Sequence, residues 1–265
     1  MRLTSWNYLH GQVLNPSAGE GTLRSTLTLL DSAVIALQEI DAGQERSGGV
    51  NQSAEIAELV GAQSWGFAPT IIGTPGFKWR KLRHEEKVVE QKSESSEPRY
   101  GISIVSKVPV HHWLRKELGR SVIGMPLAVA GENGKLRLIY VRDEPRVALA
   151  AVLENGWTVI NVHLSFVPLF NIYQLLKVSR WAAKVEKKYS TRVILLGDFN
   201  LPWGIPTKVT KFKRATNSLS YPSWAPKVSF DYILAKGEDV EKLQEIKVSQ
   251  IAISDHRPLS VEIAE

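Results

Sequence analysis

Val193-Ile194-Leu195-Leu196-Gly197-Asp198-Phe199-Asn200 is the stretch on which the fold turns. Four aliphatic residues in a row, two of them β-branched, predict a short buried strand. The Gly-Asp-Phe-Asn that follows sets a carboxylate at the rim of a sheet, where sites on α/β scaffolds form. The same arrangement recurs along the chain. A strand over 3–8 carries Asn7, and the apolar run 33–37 leads into Gln38-Glu39. Residues 158–162 lead into His163, Asp231 opens a strand over 230–234, and Ser254-Asp255-His256-Arg257-Pro258 precedes a last strand over 259–263. Further strands are predicted over 101–106, 136–141 and 147–153 from their β-branched and aliphatic content.

Few segments show helical spacing. Leu23, Leu27 and Leu30 fall at i, i+4 and i+7. Asn51 suits the N-cap of a second helix that buries Ile56, Leu59 and Val60 and ends at Gly61. The longest helix is predicted over 171–189, with Leu175, Val178, Trp181, Ala182, Val185 and Tyr189 on one stripe. Residues 83–98, rich in Glu, Lys, Gln and Ser, read as a mobile insertion. Polar chemistry contributed from both ends of the chain argues for a single domain over 1–265, closing around one site.

The 265 residues contain no cysteine, which removes disulfides, thiolate nucleophiles and cysteine-bound metals from consideration. An apolar fraction of 43% with 23% charged residues is that of an ordinary globular chain. No stretch approaches the roughly 20 apolar residues that cross a bilayer, and Met1 to Asn7 lack the core of a secretory signal, so a cytoplasmic protein is expected. The formal charge is +6, and it is localised. Residues 78–92 sum to +3, residues 201–230 to +5 with no acidic residue, and the remainder to −2. Both segments carry aromatics: Trp79 in the first, and Trp203, Phe212, Tyr221, Trp224 and Phe230 in the second. Cations neutralise phosphates and aromatic faces stack on bases, so Lys211, Lys213 and Arg214 become candidate substrate contacts. Solvated basic loops with core aromatics would give the same pattern.

The inventory of side chains narrows the reaction. Glu39, Asp198, Asp231 and Asp255 with Asn7 and Asn200 are hard oxygen donors, suited to Mg²⁺ or Mn²⁺. His163 and His256 can donate to an oxyanion or exchange protons near neutrality. No Gly-x-x-x-x-Gly-Lys, Gly-x-Gly-x-x-Gly or Gly-x-Ser-x-Gly is present, which leaves nucleotide-driven chemistry and serine hydrolysis unsupported. Metal-activated water attacking a phosphate ester fits best. Each motif alone has an ordinary reading as a surface pair or a salt-bridged turn; their ordered occurrence at strand ends carries the argument.

The ordered set Ser5-Trp6-Asn7, Leu37-Gln38-Glu39, Asn161-Val162-His163-Leu164, Gly197-Asp198-Phe199-Asn200, Phe230-Asp231-Tyr232-Ile233 and Ser254-Asp255-His256-Arg257-Pro258 resembles the endonuclease/exonuclease/phosphatase superfamily. That superfamily of metal-dependent phosphoesterases includes DNase I-like nucleases, abasic-site endonucleases, sphingomyelinases and inositol polyphosphate 5-phosphatases. The resemblance implies an α/β (α+β) fold: a four-layer α/β/β/α sandwich of two mainly antiparallel sheets packed face to face, with helices outside. It further implies that Glu39 is the principal metal ligand with Asn7 and Asp255 beside it, and that Asp198 activates water. Asn200 would donate to phosphoryl oxygens, His256 would contact the scissile phosphate with Asp231 as its carboxylate partner, and His163 would assist the phosphate or leaving oxygen. A looser likeness in 45–52 and 99–106 offers Arg46 as a phosphate contact and Tyr100 as a site wall. Three functions follow: a nuclease or DNA-repair phosphodiesterase acting on DNA or RNA; a phosphatase or phosphodiesterase on a small or lipid-linked phosphate; and a phosphate-binding protein without catalysis. No long apolar lid is visible in the sequence to select lipid, and no protein partner is implied.

Overall fold

The computed structural model describes residues 1–14, 22–92, 97–130, 136–249 and 251–264. In chain order, strand β1 (Arg2–Asn7) is followed by helix α1 (Leu23–Leu30), strand β2 (Val34–Ala42) and helix α2 (Gln52–Val60). Six strands come next: β3 (Ser64–Gly73), β4 (Trp79–Lys81), β5 (Arg99–Ser106), β6 (Val110–Gly119), β7 (Met125–Ala130) and β8 (Leu136–Val141). Then come β9 (Arg146–Leu153), β10 (Trp157–His163), helix α3 (Phe170–Tyr189), β11 (Arg192–Asp198), the short α4 (Ile205–Val209) and β12 (Phe212–Arg214). Strands β13 (Asp231–Lys236), β14 (Leu243–Ile246) and β15 (Leu259–Ile263) close the fold.

Two sheets pack face to face, one in the order β14-β15-β1-β2-β5-β3-β4 and the other β12-β13-β11-β10-β9-β6. Each is antiparallel except for one central parallel pair, β1 with β2 and β10 with β11. Strands β7 and β8 form a separate hairpin. The period-2 alternation of β11 shows how the layers are built. Ile194 and Leu196 face the other sheet and meet Leu3, Val34, Ala36 and Val261, whereas Val193 and Leu195 turn outward to Leu175, Val178 and Ala182 of α3. On the opposite side Ile35 and Leu37 pack under Leu27 and Leu30 of α1 and Ile56 of α2. A fully buried leucine such as Leu195 contributes about 2 kcal/mol.

Local signals place the helices. Thr22 Oγ1 accepts from Ser25 N, Asn51 Oδ1 accepts from Ser53 N, and Gly61 takes the left-handed conformation that ends α2. Strands β3, β4, β6, β7, β12 and β14 carry no clear sequence signal. Pro69 and two glycines interrupt β3, and among the described strands the charged edge strand β6 pairs with β9 alone. The expected mobile insertion is tied back where it is described. Glu90 bridges Phe67 through its backbone and pairs with Arg99, Arg80 pairs with Glu86 and Glu97, and Asn51 donates to Lys92 O. Residues 93–96 of that stretch lie outside the described residues.

The sheets are also joined by buried polar bonds directly beneath the rim. Asn161 of β10 donates from Nδ2 to Leu37 O and Ser103 O at 2.8 Å each, and its Oδ1 accepts from Gln38 Nε2 at 2.7 Å. Gln38, half of the Gln-Glu pair in the sequence, therefore fixes one sheet against the other rather than entering the site.

Candidate active site

The carboxyl ends of β1, β10 and β11, the start of β13 and the turn before β15 converge on one cleft of about 870 Å³. Asp198 lies at its centre. Its Oδ2 is 3.1 Å from Asn7 Nδ2, 3.6 Å from His163 Nε2 and 3.9 Å from His256 Nε2, while Oδ1 accepts from Asn200 N at 2.8 Å. Asn7 Nδ2 also donates to Glu39 Oε1 at 3.1 Å, and Glu39 lies 4.0 Å from His163. His256 Nδ1 meets Asp231 Oδ2 at 2.7 Å. Residues 254–256 are pinned to β1 because Ser254 donates from Oγ to Asn7 O and its Oγ accepts from His256 N.

The backbone is bent to present these groups. Glu39 does not follow β2, as the sequence suggested, but sits inside it at a register shift between Leu37 and Ile40 with φ of 57°. Asn200 and Ser254 are also left-handed, at 49° and 74°. Non-glycine residues held with positive φ cost about 1–3 kcal/mol each and cluster where function overrides local preference. Gly197 is required, since its φ is 135° and a Cβ there would lie 1.9 Å from Val162 O.

Burial and neighbouring charge set the protonation states. Burial and the Asp231 carboxylate push Asp198 up to about 6, and burial with the Asp255 charge pushes Glu39 up to about 7. Burial holds His163 neutral, well below an ordinary histidine, and Arg146 reinforces this. For His256 burial acts downward, but Asp231 overcomes it and keeps the ring protonated well above the ordinary range. Asp198, Asp231 and His256 offer ligand atoms within 4.8 Å of one another. Of these groups His256 Nδ1 and Asp231 Oδ2 already bond each other at 2.7 Å, whereas His256 Nε2 stands 3.9 Å from Asp198 Oδ2. Asp255 Oδ1 is buried without a partner, and Glu39 faces that carboxylate through mutual repulsion. An oxygen cluster of this kind fits a hard divalent cation.

Other candidates are distributed unevenly. Tyr100 lines the cleft, whereas Arg46 is clasped by Asp41 through two 2.8 Å bonds and lies over the Tyr100 ring at 5.9 Å. Asn200 lines the cleft with one amide hydrogen donated to Leu164 O. Lys211, Lys213 and Arg214 are not brought to this centre. Strand β12 pairs with Leu234–Lys236, the end of β13 remote from Asp231, roughly 10 Å or more along the strand. Arg214 is occupied by Ser218 O, Ser229 Oγ and the Tyr232 ring. The sequence reading missed Glu144, Arg146 and Phe166, which all line the cleft. The polar run Asp143-Glu144-Pro145-Arg146 ahead of the apolar β9 was the available signal, the mirror image of a polar residue closing a strand.

The Endonuclease/Exonuclease/phosphatase family model matches residues 4–256. The chain belongs to that family. Solved structures agree on the fold. A family protein from Beutenbergia cavernae aligns over 100% of this chain and 72% of its own, with 17% identity and a TM-score of 0.60. A 3'-5' exonuclease from Neisseria meningitidis aligns over 100% of both chains with 13% identity and a TM-score of 0.54. A mannosyl-6-phosphatase from Bacteroides thetaiotaomicron aligns over 100% of both with 10% identity and a TM-score of 0.59. Among curated proteins none matches significantly. Members of the family are phosphoesterases, and divalent-metal dependence is general among them. No helix among the described residues is long and apolar enough to cross a membrane.

Proposed function

We propose that this protein hydrolyses phosphate esters with Mg²⁺ or Mn²⁺ and water. The observation that carries the reading is Asp198 Oδ2, a buried carboxylate oxygen bonded by the Asn7 amide and faced by two histidine Nε2 atoms at 3.6 and 3.9 Å on the floor of one cleft. Glu39 and Asp255 would hold the ion, with Asn7 beside them. Asn7 Oδ1 accepts from Leu9 N at 3.2 Å and retains a second lone pair. The bound ion would supply Lewis-acid polarisation of the phosphoryl group and charge neutralisation. Asp198, raised to about 6, is ionised near neutrality yet basic enough to orient a water and accept its proton. His256, held protonated by Asp231, donates to a phosphoryl oxygen. Neutral His163 faces the same space and can hydrogen-bond the phosphate or the departing oxygen. Asn200 and Tyr100 complete the wall, and Arg46 acts behind Tyr100.

For the organic part of the substrate, the nuclease reading keeps Tyr221 and Phe230, whose rings line the cleft 5.5 Å apart, but not Lys211 and Lys213. A small or lipid-linked phosphate is supported by a bounded cleft with Arg142 and Arg146 in its lining. The fold serves both, since one neighbour is an exonuclease and another a sugar phosphatase. The test is hydrolysis of bis-p-nitrophenyl phosphate, plasmid DNA, RNA and inositol phosphates with Mg²⁺, Mn²⁺ or EDTA. Metal-dependent turnover on at least one is expected, and Asp198→Asn lowers it about 10²- to 10⁴-fold with unchanged circular dichroism. Inactivity on all with both metals, or full activity in the variant, would refute it.

A further inference from the structure

A second cavity, of about 390 Å³, lies against the turn that carries His256 and shares no lining residue with the cleft. The same two segments wall both. Residues 218–230 give Tyr221 and Phe230 to the cleft but Ser218, Leu219 and Pro226 to the cavity. The turn 255–258 divides likewise, with Asp255 and His256 lining the cleft and Arg257 and Pro258 lining the cavity. Hydrogen bonds join the two segments into one partition. Ser223 donates from N to Asp255 O at 2.7 Å and from Oγ to Ser254 O at 2.8 Å. Arg257 donates from N to Ser220 O at 2.8 Å and from Nε to Ser223 O at 2.5 Å. Within the cleft lining the Tyr221 ring packs 4.9 Å from the His256 ring.

The lining decides what the cavity accepts. Leu219, Ile246, Val248 and Leu259 supply an aliphatic surface, and Glu245, Lys247 and Arg257 supply charge. The Glu245 carboxylate is already engaged, since its two oxygens accept from Ser218 N at 2.9 Å and Asn217 N at 2.8 Å. The cations are not. Among the described residues neither the exposed Lys247 ammonium nor the terminal nitrogens of Arg257 have a hydrogen-bond or ion-pair partner. A guanidinium with free terminal N–H groups presents the fork that carboxylate, phosphate and sulfate oxygens fit. The volume also falls within the roughly 300–1,000 Å³ of small-molecule sites.

We infer that this cavity binds a small amphipathic anion, an oxyanion head on a short hydrocarbon tail, and that its occupancy slows turnover across the partition. The head group meets Arg257 and Lys247, and the tail covers the aliphatic surface. An anion on the terminal nitrogens of Arg257 draws the guanidinium away from Ser223 O, which loosens the segment that holds Tyr221 against His256. Binding depends on the cavity alone, and only its kinetic consequence rests on the hydrolytic reading above.

The test joins isothermal titration to a hydrolysis assay. Hexyl sulfate, below its micellar range and carrying no phosphate to hydrolyse, is compared with inorganic sulfate and with hexylammonium. Each is titrated into wild-type protein and into a variant combining Leu219→Asp with Lys247→Glu. Both positions are exposed and outside the cleft, so the fold and the basal turnover are preserved. Expected is one saturable site for hexyl sulfate in the wild type. The tailless and the oppositely charged probes bind at least about tenfold more weakly, as does hexyl sulfate to the variant. With bis-p-nitrophenyl phosphate and Mg²⁺, saturating hexyl sulfate lowers the wild-type kcat by at least about twofold at unchanged KM, and the variant does not respond. Absence of saturable binding, equal binding by the variant or equal binding of hexylammonium overturns the inference and leaves the hydrolase standing. A rise in KM alone, kept in the variant, places the probe in the cleft and also overturns it, as does binding that leaves kcat and KM untouched. Binding lost in the variant, with no cleavage of any ester, supports the cavity while removing the hydrolytic reading.

Discussion

Replacing Glu39 with Gln separates the electrostatic cost of this site from its purpose. Burial, the Asp255 charge and the weaker Asp198 charge push the Glu39 carboxyl up to about 7 from an ordinary 4.5, against the opposing effects of Asn7 and His256. That displacement corresponds to about 3 kcal/mol against the ionised form. The side chain keeps 21% exposure, so water relieves part of it and about 1–2 kcal/mol is the working figure. The folded protein binds this proton more tightly than the unfolded chain does. The favourable contribution is therefore complete below about pH 4.5 and lost as pH rises through about 7. Glu39→Gln has no proton to lose and preserves an oxygen for the Asn7 amide. In urea denaturation with EDTA, the variant is expected to be more stable than wild type by about 1–2 kcal/mol at pH 8 and equal to it by about pH 4. Mn²⁺ then reverses the order, because an ion bound only by the folded state stabilises wild type, by about 2.7 kcal/mol at one hundred times Kd. Equal stability in EDTA at pH 8, or the same Mn²⁺ gain in both proteins, would refute the assignment of Glu39 to a repulsive, ion-binding carboxylate cluster.

Further expectations concern the His256–Asp231 pair and the scaffold under it. Asp231→Asn removes the partner 2.7 Å from His256, and histidine NMR titration of the metal-free protein should show the His256 pKa lowered, because the largest influence raising it is gone. The activity lost with deprotonation of this ring then falls away at lower pH than in wild type, and an unchanged titration would exclude Asp231 as the cause. Gly197→Ala forces a Cβ to within 1.9 Å of Val162 O; expected is a loss of about 3 kcal/mol or more by urea melt, and a wild-type midpoint would contradict the backbone geometry. Asn161→Leu leaves Leu37 O, Ser103 O and Gln38 Nε2 without their buried partner and should cost about 3 kcal/mol, with near-neutral stability counting against the inter-sheet stitch.

Much of the candidate set was legible because strand ends have a short-range signature. An aliphatic run stopped by Gly-Asp or by a lone His announces both the strand and the side chain at its rim, so Asp198 and His163 could be placed from a few neighbouring residues. The four-layer fold followed from the family resemblance that the ordered motifs carry rather than from their periodicity. Strand β3 shows why propensity alone fell short: its pairing with β5 is imposed by tertiary contact across Gly66 and Pro69.

The chain by itself determined which reaction groups exist, their order, and the absence of thiol chemistry. Only tertiary structure decided which groups share a surface, because that depends on contacts between residues far apart in sequence. Residues 201–230 showed a basic segment without an acidic residue, yet strand pairing sends Lys211 and Lys213 to the remote end of β13. Conversely Glu39, His163 and His256 are scattered along the chain, and folding brings them to one cleft. Gln38 and Glu39 show the same division at atomic scale. They are adjacent in sequence, but the bulge in β2 turns one into the seam between the sheets and the other into the cleft.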